Sequence, residues 1–132
     1  MTREDKELLL KDLSTRLMYG LICQVDDGAA GLNDGKLEEI DIPNERVRFA
    51  DDGYWDAYID DVKPYLRPMS SMTEEERLLF YQNTLQYNKE TGYSEYTYES
   101  IDWLNKNHFD YRGLIPKGLA VEVTEKNNPY NK

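Results

Sequence analysis

Leu37-Glu38-Glu39-Ile40-Asp41-Ile42-Pro43-Asn44-Glu45-Arg46-Val47-Arg48-Phe49 is the stretch whose reading decides the fold class. Val47 and Phe49 alternate with Arg46 and Arg48, which is the two-residue period of a strand with one face buried. Leu37, Ile40 and Ile42 mark a strand before it, ended by Pro43. Pro43-Asn44-Glu45 between the two is turn chemistry, because proline presets φ and asparagine bonds its own backbone. A hairpin is expected here, with a further turn at Asp51-Asp52-Gly53.

Helical periods lie on both sides of this hairpin. Leu9, Leu10, Leu13 and Leu17 recur at three- and four-residue spacing, which predicts a helix over 3–17 with one apolar face. Thr2 is its expected N-cap, and Glu4 and Asp5 suit the positive end of the helix dipole. Met18 to Val25 reads as a short buried strand. Residues 26–35 contain Asp26-Asp27-Gly28, Gly31 and Asn33-Asp34-Gly35, and read as a loop. Tyr54, Trp55, Tyr58, Ile59 and Val62 have no clean strand period, so a helical turn is expected, followed by an extended piece from Val62 to Leu66. Ser71 and Thr73 each have an acid three residues on, a helix start, and Leu78, Tyr81 and Leu85 continue a face to about residue 88. A third helix is expected over 97–107, with Ile101, Leu104 and His108 on one side. Leu119, Val121 and Val123 alternate as a last strand. The class is α+β: residues 1–124 form a single compact domain, about three helices packed on a small, mostly antiparallel sheet. Residues 125–132 are expected to be a frayed polar tail.

The chain has 132 residues, the size of one domain. Its 26 acidic and 16 basic residues give a net charge of −10, which repels phosphate backbones and argues against direct nucleic-acid binding. The acidity is spread along the chain. No apolar run reaches membrane-spanning length, so no membrane association is expected. The lone Cys23 excludes a disulfide scaffold and fits a reducing compartment. Acids precede Leu8-Leu9-Leu10, which Lys11 and Asp12 then interrupt; this is not the pattern of a secretory leader, and a cytoplasmic location is expected. Eleven Tyr, two Trp and three Phe mark a folded chain with an aromatic-rich core.

Two stretches carry a resemblance. They are Asp61-Val62-Lys63-Pro64-Tyr65-Leu66-Arg67-Pro68-Met69-Ser70-Ser71-Met72-Thr73-Glu74-Glu75-Glu76 and Ile101-Asp102-Trp103-Leu104-Asn105-Lys106-Asn107-His108-Phe109-Asp110-Tyr111-Arg112-Gly113-Leu114-Ile115. Together with Met1 through Leu10, the chain resembles a family of small, acidic, uncharacterised proteins of gut anaerobic bacteria and their prophage-like elements. The resemblance implies an accessory role in a mobile element and no particular activity. Members of that family often carry a second histidine just before the one matching His108. Here that position is Asn107, which argues against a metal site built on paired histidines.

Candidate chemistry is sparse. His108 is the only histidine and the natural proton carrier near neutral pH, with Asp102, Asp110 and Arg112 close in sequence. The simpler reading is a residue at a helix C-terminus, where a positive ring favours the dipole. Cys23 lies in the apolar run Leu21-Ile22-Cys23-Gln24-Val25 and reads as a small buried hydrophobe. Gly28, Gly31 and Gly35 fit no phosphate-binding spacing. One Cys and one His do not make a zinc site. Asp51, Asp52, Asp56, Asp60 and Asp61 lack the loop spacing of a calcium site and read as a solvated acidic face. No cofactor, metal or catalytic set is expected.

Tyr54, Trp55 and Tyr58 lie among those acids, and Tyr93, Tyr96 and Tyr98 cluster before the third helix. Exposed tyrosine and tryptophan mark interfaces. The expected function is therefore a non-enzymatic protein-interaction module with an acidic, tyrosine-rich surface: Asp51, Asp52, Tyr54, Trp55, Asp56, Tyr58, Asp60 and Asp61. Its partner would be another protein, basic or DNA-binding, the latter by mimicry of nucleic acid. The alternatives are a small hydrolase or metal-dependent enzyme using His108 and nearby carboxylates, and a homo-oligomer joined through the tyrosine clusters.

Overall fold

The architecture is a computed structural model that describes residues 1–50, 53–81, 85–87 and 94–130. The hairpin predicted at 37–50 forms. Strand β2 (Leu32–Asp41) and strand β3 (Arg46–Ala50) pair antiparallel around a turn at 42–45. Asp41 Oδ1 accepts from the Asn44 N–H, and Glu45 takes a left-handed φ of 54° to close the turn. Val47 and Phe49 are fully buried, while Arg46 and Arg48 face outward.

The sheet grows from this hairpin in both directions. Strand β1 (Ile22–Asp26) pairs with β2, and strand β4 (Tyr54–Tyr58) pairs with β3. Strand β5 (Val62–Pro68) pairs antiparallel with β1 and parallel with two short strands, β8 (Phe109–Asp110) and β9 (Val121–Glu122). The path runs β4-β3-β2-β1-β5-β8, so β4 is a margin of the sheet. A separate two-stranded ribbon joins β6 (Leu85–Tyr87) to β7 (Ser94–Tyr96).

Helix α1 (Arg3–Arg16) starts where the sequence places it, with Thr2 Oγ1 accepting from the Asp5 N–H at 3.1 Å. Its Leu9, Leu10 and Leu13 close over Cys23, Val25, Leu37, Val47, Phe49, Val62 and Leu66 of the sheet in one apolar cluster. Each such side chain contributes roughly 1.5–3 kcal/mol on burial. Helix α2 (Glu74–Leu79) carries a complete capping box between Thr73 and Glu76. Helix α3 (Tyr98–Lys106) is capped by Thr97. Leu104 and Phe109 form a second small cluster with Phe80, extended by stacked rings from Phe80 through Trp103 to Phe109. The described residues form one compact α+β domain with three α-helices and a seven-stranded, mostly antiparallel sheet.

Four local expectations are corrected. Asn33-Asp34-Gly35 is not a turn but part of the first half of β2, opposite Val25, Gln24 and Cys23. Its glycine serves close packing instead: a Cβ on Gly35 would lie 2.8 Å from Trp55 Cζ2 and 2.9 Å from Phe49 Cγ. Residues 54–58 are strand, not helical turn. Helix α2 ends at Leu79 and does not continue to 88, because residues 85–87 pair as β6. The 125–132 tail is not frayed as far as Tyr130. That residue packs its ring flat on His108, with centroids 3.8 Å apart, and its hydroxyl bridges β1 and β5.

The Gly35 geometry leads to an expected result. Gly35→Ala forces Phe49 and Trp55 apart and should lower unfolding stability by about 1–3 kcal/mol. Urea denaturation followed by tryptophan fluorescence measures it. An unchanged midpoint would mean the two rings move freely.

Candidate interaction surface

Strand β4 owes its shape to its alternation. Trp55 and Ala57 turn inward and are half-buried; Trp55 lies 4.7 Å from Phe49, centroid to centroid. Tyr54, Asp56 and Tyr58 turn outward. Tyr54 is 71% exposed and Tyr58 57%. Spaced two and four residues apart, the three make one row on the solvent face of the sheet.

The strands beside β4 bring cations to that row. Arg48 Nε donates to Asp56 at 3.0 Å, and Arg48 Nη1 lies 3.1 Å from Glu39 on β2. Arg46 lies 3.8 Å from Asp56, with its guanidinium 4.9 Å above the Tyr58 ring. The hydrogen bond to Asp56, then its charge, holds the Arg48 pKa above the usual arginine value. Asp60, beyond β4, lies 3.4 Å from Lys6 of α1. Lys6 and Arg3 both also bind Glu45 at the hairpin turn. Asp61 is exposed. An open depression of about 460 Å³ lies alongside, between Ile42 and Pro43 on one side and Arg46, Arg48 and Asp56 on the other.

The surface read from sequence is thus partly assembled and partly revised. Tyr54, Asp56 and Tyr58 come together on one exposed face. Trp55 does not join them; it is a half-buried wall behind the strand, because adjacent strand residues face opposite ways. Asp51 and Asp52 lie outside the described residues. The aspartates are not a bare acidic face, since Arg46, Arg48 and Lys6 answer Asp56 and Asp60. Sequence reasoning missed those cations. Arg46 and Arg48 alternate with the core residues of β3, so pairing β3 with Asp56 on β4 would have found two of the three.

His108 sits apart from this face. It follows the C-terminus of α3 with a left-handed φ of 63°, a position usually given to glycine. Burial pushes its pKa down to about 4, helped by the charges of Arg16 and Arg67. A neutral ring is the result, not the dipole-stabilised cation expected. The acids expected around it are engaged elsewhere. Asp102 is exposed on α3, and Asp110 accepts from the Leu114 and Ile115 N–H groups at 2.9 Å each. Arg112 donates to Asp12 and Thr15.

Beside it lies a buried ion pair. Asp12 and Arg16 are both fully buried on α1 and meet through two hydrogen bonds of 2.9 and 3.1 Å. Arg16 Nη2 also donates to the Phe109 carbonyl at 2.6 Å, tying α1 to β8.

Cys23 is fully buried in β1, and burial raises its thiol pKa strongly, so it stays a protonated apolar side chain. Tyr96 and Tyr98 are exposed, Tyr96 on a groove it lines with Met69, Met72, Phe80 and Tyr81, while Tyr93 lies outside the described residues. No group of three or more His, Cys, Asp or Glu among the described residues is arranged to hold a metal ion. No helix among them is long and apolar enough to cross a membrane. Comparison with protein-family models, with curated proteins and with solved structures finds no match to this chain.

Proposed function

We propose that this protein is a non-enzymatic interaction module that binds another protein through the outward row of β4. The observation that carries the reading is the exposure of Tyr54 and Tyr58 on one face of a marginal strand, with Asp56 between them. Two large aromatics left in water beside charged neighbours are typical hot-spot anchors. Resemblance of 61–76 and 101–115 to proteins of prophage-like elements supports an accessory role in a mobile element. The net charge of −10 favours a basic partner, DNA-binding proteins included. The alternative, a hydrolase or metal-dependent enzyme built on His108, has less support, because the groups bearing on the ring are the cations Arg16 and Arg67.

The test is affinity capture from the native cells by the wild type and by Tyr54→Ala/Tyr58→Ala, at low and moderate salt. Both side chains are exposed, so stability should change by less than about 0.5 kcal/mol for each. Loss of the two anchors is expected to weaken a stoichiometric partner by about 2 kcal/mol or more. Moderate salt should weaken the wild-type complex as well. A partner retained equally by the double variant would sink the reading.

A further inference from the structure

We infer that the open side of β4 takes an extended, basic segment of the partner as an added strand. The inference rests on the reading above and supplies its binding mode.

The ladder fixes which backbone groups are free. Ile59 N donates to Glu45 O at 2.9 Å, just past the end of β4. In an antiparallel pair the residues whose N–H and C=O meet the partner alternate with those turned away. Ala57 and Trp55 therefore face β3, opposite Val47 and Phe49. Tyr54, Asp56 and Tyr58 turn N–H and C=O to the open side, where no described strand pairs with them.

Natural sheets guard such an edge with Pro, charged side chains, a bulge or brevity. Strand β4 has only the charge of Asp56, which Arg46 and Arg48 already balance. It runs five residues, contains neither Pro nor Lys, and pairs with β3 without a register shift. The bulge of this hairpin lies instead in β2, between Leu37 and Glu39. The short strands β8 and β9 have two residues each. Unpaired peptide groups in a row recognise one thing well, another extended backbone.

Charge selects among extended backbones. A second copy, paired about Asp56, would set two carboxylates already held by Arg46 and Arg48 against each other, with no charge attraction gained. It would also bring together two chains of net charge −10. A basic segment meets the excess acidity of the chain, net charge −10, favourably. Its inward residues would lie beside Trp55 and Ala57, so they should be apolar. Its outward residues would flank Tyr54 and Tyr58. The expected ligand is thus basic overall and alternates apolar with polar residues.

The test selects a displayed library of random peptides, about a dozen residues long, on the full chain. Enrichment of basic sequences with alternating apolar positions is expected. The best peptide is then remade with N-methyl groups on alternate residues. Methylation on one set should weaken binding about tenfold or more, and on the other set little. Asp56→Pro should weaken it likewise, since proline is tolerated where an edge N–H faces solvent. Peptides that ignore methylation in both sets, yet lose affinity for Tyr54→Ala/Tyr58→Ala, would overturn strand addition and leave the surface reading standing. No enrichment, or enrichment of acidic sequences, would overturn it too. So would a dimer in light scattering that Asp56→Pro dissolves, which would make a second copy the occupant.

Discussion

Asp12→Ala is expected to cost about 3–5 kcal/mol, because it strands a buried charge. Asp12 and Arg16 have no solvent exposure and share two hydrogen bonds within one turn of α1. Arg112, with only 17% of its side chain exposed, donates to the same carboxylate at 3.0 Å. Removing that carboxylate leaves one guanidinium buried and a second beside it, with no anion between them. Desolvation of an unpaired charge outweighs the gain from any single hydrogen bond. The damage should spread to β8, because Arg16 also bonds the Phe109 carbonyl. Urea unfolding followed by circular dichroism measures the loss. The double variant Asp12→Leu/Arg16→Met should recover much of it, since well-packed apolar pairs often replace buried ions without loss. A cost below about 1 kcal/mol for Asp12→Ala would show that water reaches Arg16 and solvates it.

The frame of this protein was legible where side-chain chemistry tracks burial. Leu9, Leu10 and Leu13 announce α1, the alternation of Val47 and Phe49 announces β3, and Thr73 with Glu76 announces a capped start to α2. The misreadings have physical roots. Tyrosine is apolar and polar at once, so Tyr54-Trp55-Asp56-Ala57-Tyr58 alternates in exposure without alternating in hydrophobicity. The strand at the centre of the proposed function was hidden for the same reason that its surface is suited to binding. Gly35 misled differently. A glycine after Asn-Asp suggests a turn, but here it makes room for the Phe49 and Trp55 rings, a requirement set by residues 14 and 20 positions away. Leu85 extended the helical period of Leu78 and Tyr81, yet long-range pairing with Tyr96 claims it for a strand.

The candidate surface shows the same division. Which residues lie together was half readable, because Tyr54, Asp56 and Tyr58 are close in sequence. What neutralises Asp56 was not, because Arg46 and Arg48 reach it only across a strand pair. A run of acids in sequence has the meaning of an acidic surface only after its cross-strand neighbours are known. Here those neighbours leave the tyrosines, more than the aspartates, as the anchors of the proposed interface.

Tyr130→Ala is expected to cost about 3 kcal/mol, because a tail that looked frayed holds the join between β1 and β5. The Tyr130 hydroxyl accepts from the Ile22 N–H at 3.1 Å and donates to the Tyr65 carbonyl at 2.9 Å. Its ring lies on His108 at an interplanar angle of 9°. Tyr130→Phe keeps the ring and orphans the two backbone groups, so it should cost less, about 1–3 kcal/mol. The burial of His108, beside the charges of Arg16 and Arg67, also makes stability depend on pH. His108 ionises at about 4 in the folded chain, against 6.5 unperturbed. Above 6.5 the ring is neutral in both states and its contribution is complete. Between 6.5 and 4 the unfolded chain takes up a proton that the folded chain refuses, so stability falls as pH falls. His108→Gln should flatten the upper part of that window, above the range in which the carboxyls titrate. Glu45 and Glu76 add their own loss in the lower part of that window, because their unperturbed value of 4.5 lies inside it while Arg3, Lys6 and Arg67 keep the folded carboxyls ionised. Chemical denaturation at a series of pH values, on the wild type and the three variants, measures these effects. If Tyr130→Ala leaves the midpoint unchanged, the tail does not hold the join. If His108→Gln leaves the slope between pH 6.5 and 4 unchanged, the buried neutral histidine is not its source.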